Sequence, residues 1–147
     1  MKKQRKTDSL PRKLLNVISR FNESDRKIRT FGTDTPLHLS EIHLIEFIGG
    51  HPDLYVSEIA REKKVTKGAI SQTLRRLERK NLIRKRPDAG NHTRVVVSLT
   101  EAGWTAYREH EKFHQEIAEK VAACVRGKTE QEKNAIGDFL SRLERLL

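Results

Sequence analysis

Two short segments with apolar residues at helical spacing stand only about three residues apart in the middle of this chain. That closeness constrains the fold more than any other feature. The first helix is expected over Glu58 to about Lys63 behind Ser57, the second over Lys67 to about Lys80 behind Thr66. Ser and Thr there supply a side-chain oxygen to the orphan N–H groups of a first turn. So short a link holds the pair in one motif, a helix-turn-helix. Ile59, Ala60, Val65, Ile70, Leu74 and Leu77 are spaced to face inward, with Ala60 small where the helices approach.

The flanking elements follow from the same rules. Leu14, Val17, Ile18, Phe21 and Ile28 recur at helical spacing, so a helix is expected from Leu10 to Phe31, ended by Gly32 and the Thr33–Pro36 cluster. Ser40 is the expected cap of a helix Glu41 to Ile48, stopped by Gly49-Gly50. His51-Pro52-Asp53 turns into a short extended stretch, Leu54–Val56. Two strands are expected at Leu82–Arg86 and Arg94–Leu99, joined by the turn Pro87–Asn91. Thr100 caps a long helix to about Val125. Thr129 and Glu132, at capping-box spacing, open a final helix with Ile136, Phe139, Leu140, Leu143 and Leu147 on one face. The predicted class is mainly α with a small β-hairpin wing: a winged helix-turn-helix flanked by N- and C-terminal dimerisation helices. Residues 1–8 are expected as a basic tail, 9–31 and 100–147 as the helical dimerisation region, and 37–99 as the winged lobe.

With 35% hydrophobic and 34% charged residues, the 147-residue chain is lean for a monomer, which favours pairing with a second copy. The net charge of +10 favours a polyanionic partner. The single cysteine, Cys124, excludes an internal disulfide, and a reducing cytoplasm is the expected setting. It follows Ala122-Ala123, and an inert buried thiol is expected. No run reaches membrane-span length, and Pro11-Arg12-Lys13 interrupts the basic N-terminus before an apolar leader forms, so neither a membrane nor secretion is expected.

The charges concentrate where DNA would be read. The outer face of the second short helix carries Lys67, Gly68, Ser71, Gln72, Arg75, Arg76 and Arg79, behind Thr66. Near its start, Ser71 and Gln72 offer donors and acceptors for base edges, Lys67 reaches guanine or phosphate, and Gly68 keeps the approach slim. Arg75, Arg76 and Arg79 suit phosphates. In the hairpin, Arg86, Asn91, His92 and Arg94 are candidates for the minor groove. Other readings are a solvated basic face, and a protein-interaction module built on the same fold.

Leu39-Ser40-Glu41-Ile42-His43, the pair from Val56 to Leu82, and Val95–Gly103, a strand ending in Leu-Thr-x-x-Gly, resemble the MarR (multiple antibiotic resistance regulator) family over nearly the whole chain. The resemblance implies a homodimer held by the first and last helices, on a pseudo-palindromic operator in double-stranded DNA. It implies a regulator, repressor or activator, with no required cofactor and no enzymatic role, tuned by an effector between the dimer core and the DNA-binding lobe. The family's wing arginine stands seven residues before the strand-end Thr. Here that position is Thr93, and Arg94 follows on the opposite strand face. His43, His110 and His114 resemble the pattern of the fatty-acid-synthesis (FabT type) and zinc-uptake (AdcR type) regulators. The latter also use a cysteine upstream of the second helix, where this chain has none.

Tyr107, His110, His114, Ile117, Val121 and Cys124 share one stripe of the long helix. His110 and His114, at i and i+4, can meet one metal ion. Three readings stand open. The histidines bond between helices; or His43, His110 and His114 hold a metal such as zinc, with Glu41 or Glu46; or His43, Phe47, His110 and His114 line a small-molecule or acyl-chain pocket. Residues 110–114 also spell His-Glu-x-x-His, the signature of a zinc hydrolase, though no Met-turn is possible because the only methionine is Met1.

Overall fold

The computed structural model describes residues 9–51, 54–91 and 94–146. The element order is α1 (Leu10–Asp25), α2 (Leu39–Gly49), β1 (Leu54–Tyr55), α3 (Val56–Glu62), α4 (Lys67–Arg79), β2 (Ile83–Pro87), β3 (Val95–Leu99), α5 (Glu101–Val125) and α6 (Glu130–Glu144). The expected sequence of helices and hairpin is present. Its basic tail, with Pro52, Asp53, His92 and Thr93, lies outside the described residues. None of the described helices is long and apolar enough to cross a membrane. The chain divides into two compact units, one ending at His110 and the other starting at Glu111.

The first unit holds the core. Ile42, Ile45 and Ile48 of α2, Ile59 of α3, Leu74 and Leu77 of α4, and Leu82, Val97 and Leu99 of the hairpin are buried together. The small sheet runs β1-β3-β2, antiparallel throughout, with Ile83 opposite Leu99 and Tyr55 opposite Val96. Alternation then assigns the faces. Leu54, Ile83, Lys85, Val97 and Leu99 share one side; Tyr55, Arg84, Arg86 and Val96 share the other.

Several boundaries depart from the sequence reading. Helix α1 stops at Asp25, not Phe31, and Ile28 is exposed. The buried Leu37 draws the chain back: Arg29 and Leu37 exchange backbone hydrogen bonds, and Phe31 (φ 46°) and Gly32 (φ 71°) make the left-handed turn between them. Helices α2 and α3 begin before Ser40 and Ser57. Glu41 and Glu58 reach back to the N–H groups of His38 (2.9 Å) and Tyr55 (3.1 Å), moving each cap two residues upstream. Val65 is exposed, because Lys64 adopts φ 53° and turns the chain outward there. Thr66 caps α4 as expected, accepting from the Ala69 N–H at 3.2 Å.

The Leu-Thr-x-x-Gly strand end has a packing cause. Thr100 donates from Oγ1 to the Asn81 carbonyl and accepts from the Gly103 N–H, while its own N–H bonds the Leu82 carbonyl. Gly103 lies so close to that carbonyl that a β-carbon would collide with the oxygen.

In the second unit, Thr129 and Glu132 form the expected reciprocal cap of α6. No residue of α6 is buried; Val121, Phe139 and Leu140 are exposed. Cys124 is exposed as well, contrary to expectation, since a helix pair this small encloses nothing around it.

Candidate nucleic-acid interface and histidine cluster

Helix α4 buries Ile70, Leu74 and Leu77 and so must turn its other side outward. Thr66, Lys67, Gly68, Gln72, Arg75 and Arg79 are exposed there, and Ser71 is half-buried. No acidic residue occupies its first turn, which leaves the positive end of the helix dipole uncompensated for an anion. A cleft of about 450 Å³ separates this helix from the wing, lined by Lys67, Ser71, Arg75, Lys85, Tyr55 and Arg94 among others. Lys67, Arg75 and Arg94 bring positive charge to this groove, as a polyanion requires, while Lys85 Nζ is bound to Glu78 Oε2 at 2.7 Å.

Arg76 is placed differently from the sequence expectation. Its Nε lies 3.4 Å from Glu41 Oε1, and its guanidinium donates to Thr73 Oγ1 at 3.1 Å. Glu41 is fully buried and also takes a 2.7 Å hydrogen bond from Lys80 Nζ, which reaches the Pro36 carbonyl too. The Glu41 carboxyl feels two opposed effects. Burial pushes its pKa up; the hydrogen bond from Lys80, the His38 N–H and nearby positive charge outweigh it, and the net shift is downward. Glu41 therefore ties α2 to the C-terminal half of α4 and does not join the histidines.

In the wing, Asp88 Oδ2 accepts a 2.6 Å hydrogen bond from the Tyr55 hydroxyl, and Asp88 Oδ1 accepts from the Gly90 N–H at 3.0 Å. Accepting the Tyr55 hydroxyl and the Gly90 N–H lowers the Asp88 pKa; donating to Asp88 raises that of Tyr55. Arg94 stacks its guanidinium over the Tyr55 ring, 5.1 Å from the centroid, and its backbone bonds Asp88 and Asn91. Arg86 and Asn91 are exposed on the hairpin. His92 lies outside the described residues.

The histidines meet a residue the sequence reading missed. Asp25, His43 and His110 each offer a ligand atom, and these atoms lie within 4.8 Å of one another. His43 Nε2 is 3.8 Å from Asp25 Oδ2, and the His43 and His110 rings are 5.5 Å apart. His110 is 1% exposed, with Phe31 edge-on at 5.3 Å and Glu46 Oε2 at 4.0 Å from Nδ1. Asp25 is the last residue of α1, where the helix dipole disfavours an anion by about 0.3–1 kcal/mol. A cation beside it reverses that penalty. One carboxylate oxygen with imidazole nitrogens is a donor set suited to zinc. His114 is half-buried one turn further along α5, in the second unit. Phe47 turns to other partners: its ring lies 4.5 Å from His51 and under Lys63 Nζ at 4.6 Å.

Comparison with known proteins fits this arrangement. A family model described as "MarR family" matches residues 35–92, the winged lobe. The HTH-type transcriptional regulator PchR of Bacillus subtilis is 25% identical over 110 residues, 75% of this chain and 65% of that protein. A second Bacillus subtilis relative, YhjH, is matched over 58% of its length, so this chain spans about three fifths of these two relatives. The transcriptional regulator ZitR of Lactococcus lactis is 26% identical over 132 residues, 88% of this chain and 90% of that one. Among solved structures, Streptococcus pneumoniae FabT in complex with DNA superimposes with a TM-score of 0.72 at 28% identity, covering 94% of this chain and 96% of that one. Zinc-responsive Lactococcus lactis ZitR gives 0.72 at 22% identity, over 90% and 93%. In its winged helix-turn-helix, its Leu-Thr-x-x-Gly strand end and these matches, the chain is similar to the MarR family of winged-helix proteins.

Proposed function

We propose that this chain is a DNA-binding transcriptional regulator that works as a homodimer, with α4 read into the major groove and the β2–β3 wing laid on the flanking minor groove. One observation carries this reading: the exposed, polar and cationic side of α4 faces a groove shared with cationic wing residues. Gln72 and Ser71 read base edges, Lys67 reaches guanine or phosphate, and Thr66, Gly68, Arg75, Arg86, Asn91 and Arg94 hold or approach the backbone. Arg76 contributes chiefly by fixing the helix through Glu41. The dimer is supported by the apolar residues left exposed on α1, Leu10, Leu15, Val17 and Phe21, and on α6, Phe139 and Leu140. That FabT has been solved on DNA supports the same reading.

The effector is a divalent metal, zinc being the best match, held by Asp25, His43 and His110. A bound zinc supplies a fixed positive charge that links the end of α1, the middle of α2 and α5. A zinc-responsive regulator among the structural neighbours supports this choice. The acyl-pocket alternative loses ground because Phe47 points to His51 and Lys63. The zinc-hydrolase alternative is not favoured: a metal on His110 would sit where that ring is almost wholly enclosed, without room for a peptide.

Binding to a duplex as a function of salt tests the DNA reading. Arg75→Ala is expected to weaken all sequences alike and to reduce the salt slope by about one unit. Gln72→Ala is expected to relax sequence preference. Equal affinity loss on every sequence for Gln72→Ala would remove it from the base-reading set. Zinc titration by calorimetry tests the effector separately: one ion per chain is expected, lost in His43→Ala.

A further inference from the structure

We infer that Tyr55 is the latch of the wing, a positioning residue that sets how Arg94 is presented to DNA; this rests on the DNA-binding reading above. Tyr55 sits at the β1–α3 junction, and its backbone N–H is held by Glu58. Strand β1 pairs with one edge of β3, and β2 pairs with the other. Asp88 is the residue just after β2. The 2.6 Å bond from the Tyr55 hydroxyl to Asp88 therefore crosses the whole width of the sheet, over β3 and on to the base of the hairpin loop. No ladder hydrogen bond makes that link, because β1 is only two residues long and never touches β2.

The same ring is the platform for the Arg94 guanidinium. A guanidinium held over a phenol ring, and near enough to bond its hydroxyl, is fixed in direction by that residue. Asp88 in turn caps the loop through the Gly90 N–H, and its own N–H bonds the Arg94 carbonyl. Tyr55, Asp88 and Arg94 thus form one closed unit that joins the start of the helix-turn-helix to the wing loop. A two-stranded ribbon that extends past its last ladder pair is floppy alone. Tied at Asp88, it enters the complex already oriented, and less entropy is lost on binding. The pattern also explains how a wing with Thr at the family's arginine position keeps a usable cation: Arg94 is aimed by the tyrosine beneath it.

The test uses the full chain and a duplex selected by that chain from a random-sequence pool, read by anisotropy and hydroxyl-radical footprinting. Tyr55→Phe keeps the ring and loses only the hydroxyl. Its affinity is expected to fall roughly five- to tenfold, the worth of about one hydrogen bond. Protection should be lost in the flanking minor groove and kept in the major-groove half-sites. Asp88→Ala should do the same, Tyr55→Phe should add nothing in that background, and Asp88→Asn, which retains an acceptor, should bind like the unaltered chain. Unchanged affinity and footprint in Tyr55→Phe would overturn the latch, as would additive losses in the double variant. Should Tyr55→Phe lose its fold, the contrast between Asp88→Ala and Asp88→Asn decides: no difference between them rejects the latch. Failure of the unaltered chain to select any duplex would instead reject the DNA-binding reading.

Discussion

Glu41 shows how much a single buried charge decides in this protein. It is enclosed, caps α2 through His38, and holds Lys80 and Arg76 of the α4 end. Its pKa is lowered on folding, so the folded state binds the proton less readily than the unfolded chain. The stability it contributes is therefore full above about pH 4.5, the ordinary value, and is lost as pH falls through the lower folded value. Glu41→Gln should flatten the acid limb of a stability-against-pH curve between those two values, measured by urea denaturation. Lys80→Ala, which strips the closest partner, should cost about 1.5–3 kcal/mol near neutral pH. At this scale the sequence was only partly readable. His43 and His110 stood out because imidazoles on an apolar stripe need partners. Asp25 did not, because its helix reads on to Phe31 in the sequence, whereas in the fold it ends at Asp25, beside the histidines. Tyr55 was equally silent: its partner lies 33 residues away.

Elements were easier to read than partners, since caps and periodicity are local. The α4 cap at Thr66, the α6 capping box and the antiparallel hairpin all stand where side-chain chemistry put them. The misplaced starts of α2 and α3 share one cause. A glutamate at the third helical position can satisfy the N–H of a residue that is no capping type itself, so His38 and Tyr55 serve in place of Ser40 and Ser57. The junction of β3 and α5 carries a sharper prediction. Gly103 packs against the Leu82 carbonyl with no space for a methyl group. Gly103→Ala should destabilise by about 1–3 kcal/mol or more, despite alanine's better helix propensity, because β2 or α5 must shift. Thermal unfolding of that variant checks it; a midpoint at or above that of the unaltered chain would contradict the packing described.

For the molecule as a whole, the division of labour is between a well-filled first unit and two helices, the end of α5 and α6, that expose their apolar residues. Composition fits this: 35% hydrophobic residues fill one small core and leave other apolar side chains exposed, the feature on which the proposed pairing with a second copy rests. A bound metal should add stability by linkage, about 2.7 kcal/mol at a hundredfold excess over its dissociation constant, and His43→Ala should abolish the shift. The cationic side of α4, presented twice by a dimer, is the claim on which the functional reading stands. Selection of duplexes from a random pool by the full chain, followed by sequencing, tests it most directly. The expected outcome is a two-fold symmetric consensus whose half-sites are centred about one helical turn, roughly 10 base pairs, apart, and whose inner positions blur in Gln72→Ala. A pool that emerges without a consensus, or with an asymmetric site indifferent to Gln72, would contradict it.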